Sequence, residues 1–288
     1  DEKTNCICMI NLYYSEAYWS HSQTMNGPQK VVKNLIQSLN DCDVPYAINE
    51  EVYDKTLFVH WSTDMLPFYH NLKDKNNLLV GPQVWAWSNE FHLLKEYNKV
   101  ILPSRWCEKS LNKFFPQVKT GVWPVAIYPP DIKENIKTDC LVYFKSRPEE
   151  DLIKVLNYLE KNKISYTGLQ YGRYTQEEFK ESLSEVKFCI IIDNTESQGI
   201  AIQEMMLVNK PLLVWNQTVW DYMGNDYIVE GTSIPYWSSE CGEYFNNFDE
   251  FDKIFNLFLS KLDKYKPKKY ADRELSPKKS IDTLLKLF

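Results

Sequence analysis

The chain has 288 residues, 44% hydrophobic and 25% charged, a balance that excludes a disordered polypeptide and gives enough length for one large domain or two of ordinary size. Its formal net charge of −6 argues against a general nucleic-acid binder. No run reaches the roughly eighteen apolar residues a membrane span needs, and Asp1-Glu2-Lys3 does not read as a signal peptide.

Seven cysteines (6, 8, 42, 107, 140, 189 and 241) are an odd, scattered set without a CxxC pair. Cys6, Cys8, Cys140 and Cys189 sit in apolar strand-like runs, where Cys behaves as a small hydrophobe. Free thiols and a reducing, cytoplasmic location are expected. Aromatic residues reach 15%, with nineteen Tyr and nine Trp, rings that suit a core and also suit sugars and nucleobases.

In chain order, 6–12 reads as a strand, followed by a polar, aromatic loop ending at Asn26-Gly27-Pro28. Residues 29–40 have helical spacing of apolar positions, with Pro28 in the first turn. Strands are expected at 56–60, 78–84 and 99–102, then a helix over 104–115 and a strand over 122–127. Tyr128-Pro129-Pro130-Asp131 is a stiff break and the expected interdomain linker. The alternation then restarts. A strand at 139–144 leads to Ser146-Arg147-Pro148-Glu149, which has the form of a capping box opening a helix to about 161. A strand at 164–168, a helix at 176–184, a wholly apolar strand at 188–192, a helix at 199–207 and a strand at 211–215 follow. Helices at 249–262 and 276–288 are joined by a basic stretch, 264–270. Alternating strands and helices predict parallel sheets covered by helices, in two α/β domains of 1–128 and 129–270, with 271–288 as a C-terminal helix packing back on the first.

In such sheets ligands gather at the carboxyl ends of the strands, and several polar residues fall there. Glu196 and Glu204 flank Ser197-Gln198-Gly199-Ile200, where a strand gives way to a helix whose first N–H groups and dipole are a natural seat for phosphate. A carboxylate at position 204 shares a stripe with Ile200 and Val208, so it lies at the rim of the apolar face or is held by a partner. Lys145 and Arg147, two apart after a strand, are either a same-face clamp for a diphosphate or two solvated charges. Tyr171 and Tyr174 either support a base or merely pack, and Arg173 is a candidate phosphate contact. His60, at a strand end, is either a site residue or a structural one. His21, His70 and His92 are weaker. Gly27 permits close backbone approach at Asn26-Gly27-Pro28, or forms a plain turn into the helix. Trp85, Trp87 and Asn89 either line an acceptor pocket or build core. Asp41-Cys42-Asp43 has the spacing of a metal-binding DxD but falls at the amino edge of the sheet and is set aside. Neither GxGxxG nor GxxxxGK[ST] occurs, so dinucleotide dehydrogenases and P-loop NTPases lose their usual support.

The pair Glu196 and Glu204, seven residues between them, resembles the E-x7-E signature of glycosyltransferase family 4. Asn26-Gly27-Pro28 stands where that family has a Gly-Gly loop. Phe58-Val59-His60 resembles its strand ending in His, and Pro103-Ser104-Arg105-Trp106 its strand-to-helix turn. Lys145 and Arg147 fall in the region of its basic phosphate clamp, compressed here to one intervening residue. The resemblance implies a GT-B-like fold, two Rossmann-like domains with parallel sheets facing across a cleft, and a retaining transferase. It would move a sugar from a nucleotide-diphosphate donor to a glycan or other hydroxyl acceptor, with no metal or other cofactor required. It implies that Glu204 binds the ribose hydroxyls and that Glu196 and His60 serve the donor sugar as catalytic residues. Lys145, Arg147, Tyr171, Arg173, Ser197, Gln198, Gly199 and Ile200 would hold the nucleotide, with Asn26, Gly27 and Trp85 on the sugar and acceptor side. A sugar-nucleotide epimerase of the same fold and a non-catalytic two-lobed carbohydrate-binding protein are the alternatives.

Overall fold

The computed structural model describes residues 9–14, 27–50, 55–59, 66–71, 77–82, 99–222 and 227–288. Of the positions singled out above, Cys6, Cys8, His21, Asn26, His60, Trp85, Trp87, Asn89 and His92 lie outside the described residues. The chain divides into two compact units, Asp1–Ala126 with Leu275–Phe288, and Ile127–Glu274.

In the first unit the strands β1 (Ile10–Tyr13), β2 (Tyr46–Ile48), β3 (Lys55–Phe58), β4 (Leu78–Val80), β5 (Val100–Leu102) and β6 (Thr120–Val122) form one sheet in the order β2-β1-β3-β4-β5-β6. Every pairing is parallel. Strands β4 and β5 are fully buried, as apolar strands covered on both faces must be. Helix Gly27–Asp41 buries Val31, Val32, Leu35 and Leu39 along one stripe. Its C-terminal turn carries Asp41-Cys42-Asp43 into β2, with Asp43 at φ 53°. The strand expected over 122–127 is shorter and earlier. It ends at Val122 because Pro124, two residues on, has no N–H to donate to a ladder. The segment after β6 is buried without being a strand. Trp123, fully buried, donates its indole N–H to the Ser280 carbonyl and hydroxyl oxygens at 3.0 Å, and Ser280 Oγ donates to the Pro124 carbonyl at 2.8 Å. Ser280 belongs to helix Pro277–Leu287, which is capped by Ser276.

The second unit is built on β7 (Thr138–Lys145), β8 (Tyr166–Gln170), β9 (Val186–Asp193) and β10 (Leu212–Trp215). A short antiparallel hairpin comes next, β11 (Val219–Tyr222) and β12 (Tyr227–Glu230), then β13 (Gly242–Phe245). The main sheet runs β13-β10-β9-β7-β8, all parallel. On one face, Cys140, Val142, Phe144, Phe188, Ile190, Ile192, Leu213, Trp215 and Phe245 pack on the helices Glu149–Lys161 and Phe251–Ser260. Phe251, Phe255 and Phe258 from the latter are fully buried, each worth about 1.5–3 kcal/mol of transfer free energy. The basic stretch expected as a connector contains a helix of its own, Pro267–Glu274, which buries Tyr270 and Ala271 and leaves the charges outside. Strand β13 starts on Gly242 at φ +147°, where an added Cβ would stand 1.8 Å from the Leu212 carbonyl oxygen, so only glycine lets these strands pair. Among the described residues no helix is long and apolar enough to cross a membrane.

Candidate functional site

Strand β9 is Val186–Asp193, an apolar run closed by one acid. Its register with β7 sets Ile191 beside Tyr143 and Asp193 beside Lys145. Because side chains alternate across a strand, Tyr143, Lys145 and Asp193 share the sheet face opposite the phenylalanine-rich core. At the carboxyl end of the two strands, the Lys145 ammonium pairs with the Glu196 carboxylate, stands 3.9 Å from Asp193 Oδ2, and lies 4.7 Å from the centre of the Tyr171 ring. Burial works against the charge on Lys145, but Glu196 and Asp193 outweigh it and hold the ammonium more firmly protonated than usual. The Asp193 carboxyl, 1% exposed, is pushed well above the ordinary aspartate range by burial and then by Glu196, with Lys145 pulling the other way.

Two tyrosines join the glutamates. Tyr174 donates its hydroxyl hydrogen bond to Tyr143 at 3.3 Å and stacks on Phe179. Burial raises both phenols; Glu196 adds to the effect on Tyr143, and Glu204 to that on Tyr174. Both members of the glutamate pair therefore act on one hydrogen-bonded pair of rings. Glu204 is half-buried on helix Ile200–Leu207. That helix opens on Gly199 at φ +78°, a left-handed residue without a side chain to cap the first amides. The turn before it is fixed by Gln203, whose amide nitrogen donates to the Gln198 carbonyl at 2.7 Å. Ser197 and Ile200 flank this buried Gln198-Gly199 corner and are themselves half-buried.

Lys145 and Arg147 do not make the same-face pair that their spacing suggested. Ser146 takes φ 51°, which ends the strand alternation, and Pro148, not Ser146, stands at the N-cap of helix Glu149–Lys161 without a side-chain cap. Arg147 turns to the other face, its guanidinium 4.7 Å from the centre of the Trp215 ring. It donates to Asp151 Oδ2 at 2.6 and 3.0 Å and to Gln217 Oε1 at 3.0 Å. One further contact reaches the Asp193 carbonyl at 3.4 Å, so both basic residues meet at Asp193, one on its carboxyl and the other on its backbone.

Tyr171, 48% exposed, and Arg173, also exposed, lie in the tight turn after β8, with Gly172 at φ +78°. Gly27 is the first residue of helix Gly27–Asp41 in the other unit, with open space where a Cβ would be. Residues the sequence reading missed fasten the acidic loop. The Glu196 amide donates to the Thr232 carbonyl at 2.9 Å, Ser233 Oγ to the Asp193 carbonyl at 3.3 Å, and the Ser233 amide to Asn216 Oδ1 at 2.9 Å. Asp193 and Asn216-Gln217 each come after an apolar strand at its carboxyl end, a signal available from sequence. Thr232 and Ser233 come after a hairpin the periodicity did not show. Among the described residues no group of three or more His, Cys, Asp or Glu side chains is placed to hold a metal ion.

No family model and no curated protein matches the chain. Solved structures do. A mutant TarM from S. aureus in complex with Fondaparinux, alpha-GlcNAc-glycerol and UDP is 13% identical, with a TM-score of 0.57 over 89% of this chain and 58% of that one. The lipopolysaccharide outer core galactosyltransferase WaaB, apo form, is 10% identical, with a TM-score of 0.56 over 97% of this chain and 100% of that one. The Gap123 complex from Streptococcus agalactiae is 12% identical, with a TM-score of 0.52 over 83% and 56%. This chain spans 58% of the TarM length. At such identities the likeness is one of fold: two α/β units, each on a parallel sheet, as in the GT-B glycosyltransferases.

Proposed function

We propose that this chain is a retaining, metal-independent glycosyltransferase that moves a sugar from a nucleotide-diphosphate donor to a hydroxyl acceptor. The observation that carries the reading is the placement of Lys145, at the carboxyl edge of its sheet, against Glu196 and within one loop of the glycine-opened helix Ile200–Leu207. A diphosphate would accept hydrogen bonds from the first amides of that helix, at its positive dipole end, and from the Lys145 ammonium. Departure of a nucleoside diphosphate leaves negative charge on its outer phosphate, and a fixed ammonium with oriented amides stabilises that charge as it develops. Glu204 would hold the ribose hydroxyls and Glu196 the donor sugar, sharing its carboxylate between sugar hydroxyls and Lys145. Tyr171 offers a ring face beside the ammonium, with Arg173 as an additional cation in the same turn. Arg147, committed to Asp151, Gln217 and Trp215, would brace the Asp193–Glu196 loop from the opposite sheet face. Asn26, Gly27, His60 and Trp85 keep the sugar and acceptor roles that the family resemblance gives them. The UDP bound in the related TarM structure supports a nucleotide donor.

The test is calorimetry of the full chain with UDP, ADP, GDP and CDP, followed by product analysis with the matching nucleotide sugars. Saturable binding of one nucleotide and transfer of its sugar to an added glycan acceptor are expected. Interconversion of the donor sugar without transfer would mean an epimerase. Sugar binding without nucleotide binding would overturn the enzyme reading.

A further inference from the structure

Helix Ile200–Leu207 buries five residues, and Gln203, 1% exposed, is the polar one among Ile202, Met205, Met206 and Leu207. A buried primary amide is costly unless its donors and acceptor are used, and here both ends have a partner. Gln203 Nε2 donates to the Gln198 carbonyl at 2.7 Å, and Gln203 Oε1 accepts from Gln198 Nε2 at 3.1 Å. Only the nitrogen end can donate to a carbonyl, so the two bonds fix which way the Gln203 amide faces. Gln198 is itself 4% exposed, and the Gln203 backbone amide donates to the Gly199 carbonyl at 2.9 Å. Three hydrogen bonds thus tie the corner before the helix to one residue in its second turn. The same corner adjoins the ion pair of the site. A Cβ built on Gly199 would stand 3.7 Å from Cβ of Glu196, the residue that pairs with Lys145.

Gly199 sits at φ +78°, and glycine takes either sign of φ at similar cost, so the backbone alone does not decide which way the preceding peptide faces. In a planar trans peptide the C=O and N–H point in opposite directions. Holding the Gln198 carbonyl on the Gln203 side chain therefore turns the Gly199 N–H away from Gln203. A left-handed residue next to right-handed helical ones gathers successive N–H groups into a concavity that takes an anion. A flipped peptide would put a carbonyl oxygen there instead, an acceptor where the anion needs a donor. We propose that Gln203 is a positioning residue whose side chain fixes the sense of the Gln198–Gly199 peptide, so that the corner offers its N–H to the diphosphate. The diphosphate part of this inference rests on the nucleotide-sugar reading; the orientation of the peptide does not.

Gln198-Gly199 is the only Gln-Gly step in the sequence, so the full chain labelled with carbon-13 at glutamine carbonyls and nitrogen-15 at glycine gives one correlated NMR signal from this peptide. That signal is followed in the wild type, Gln203→Met and Gln203→Glu during titration with UDP, ADP, GDP, CDP and pyrophosphate, with calorimetry in parallel. In the wild type a single signal should move saturably with the nucleotide that binds, and pyrophosphate should move it the same way. Gln203→Met keeps the bulk and loses the donor. Its signal should shift or split as the peptide faces both ways, and nucleotide affinity should fall about tenfold or more, as for one lost hydrogen bond to a charged group. In Gln203→Glu the carboxylate repels the Gln198 carbonyl and draws the Gly199 N–H inward, so the signal should move to a new place and cease to follow the nucleotide. A wild-type signal that stays still while a nucleotide binds overturns the inference. So does a Gln203→Met protein that keeps the wild-type signal, or one whose signal changes while its affinity does not. Should the wild type bind neither nucleotide nor pyrophosphate, the donor reading falls while the Gln203→Met signal still decides the orientation of the peptide. Should neither variant fold, the wild-type titration decides the inference.

Discussion

The Arg147 guanidinium lies over the Trp215 ring at 4.7 Å while gripping Asp151 edge-on, with an arginine side chain only 8% exposed. Lysine has neither the planar face to stack nor the fork to donate twice. Arg147→Ala, which leaves Asp151 without this partner, is expected to cost about 3 kcal/mol in urea unfolding, and Arg147→Lys to recover only part of it. Nucleoside diphosphate affinity, measured by calorimetry, should fall less than tenfold in the lysine variant. A larger fall with unchanged stability would make Arg147 a direct phosphate contact.

Glu204 is half-buried on a helix whose packing is carried by Ile202, Met205, Met206 and Leu207. Glu204→Ala should therefore leave the unfolding midpoint nearly unchanged. Its nucleoside diphosphate affinity should drop at least tenfold, about 1.4 kcal/mol. Equal affinity in variant and wild type would count heavily against a ribose contact.

The pH dependence of stability should report Asp193. A carboxyl raised in the folded state binds its proton more tightly there than in the unfolded chain. Its contribution is therefore full below the unfolded value of about 4 and is lost as pH climbs through the raised folded value. Urea midpoints of the wild type should decline across that interval, and Asp193→Asn should remove that part of the decline. A parallel pair of curves would contradict the assignment.

Two glycines with left-handed or related backbone should respond very differently to alanine. At Gly199 an added Cβ meets nothing closer than 3.7 Å, so only the φ of +78° is penalised, about 1–2 kcal/mol. At Gly242 the new carbon would overlap the Leu212 carbonyl, and Gly242→Ala should fail to give soluble folded protein. Expression yield and circular dichroism of the two variants separate these outcomes.

Apolar strands and amphipathic helices were legible in the sequence because their pattern is periodic. The helix Gln176–Ser184 begins and ends where its spacing says, and the run at 188–192 marks β9, extended at both ends to Val186 and Asp193. Half-exposed or irregular elements were not legible. Strand β2 is a partly exposed sheet edge, and the β11–β12 hairpin presents Val219 and Ile228 to solvent. At the site, the acids and the glycine-opened helix were visible as residue types at a strand end. The parting of Lys145 from Arg147 was not, because it depends on one left-handed serine whose conformation nothing nearby in sequence announces.

Trp123 and Ser280 are joined by hydrogen bonds across 157 positions, and the whole second unit is threaded between them. During synthesis on the ribosome, the first unit cannot shield that indole until every strand of the second has emerged. The order of translation thus favours early closure of Ile127–Glu274 and leaves the half made first waiting longest, in need of protection from aggregation meanwhile.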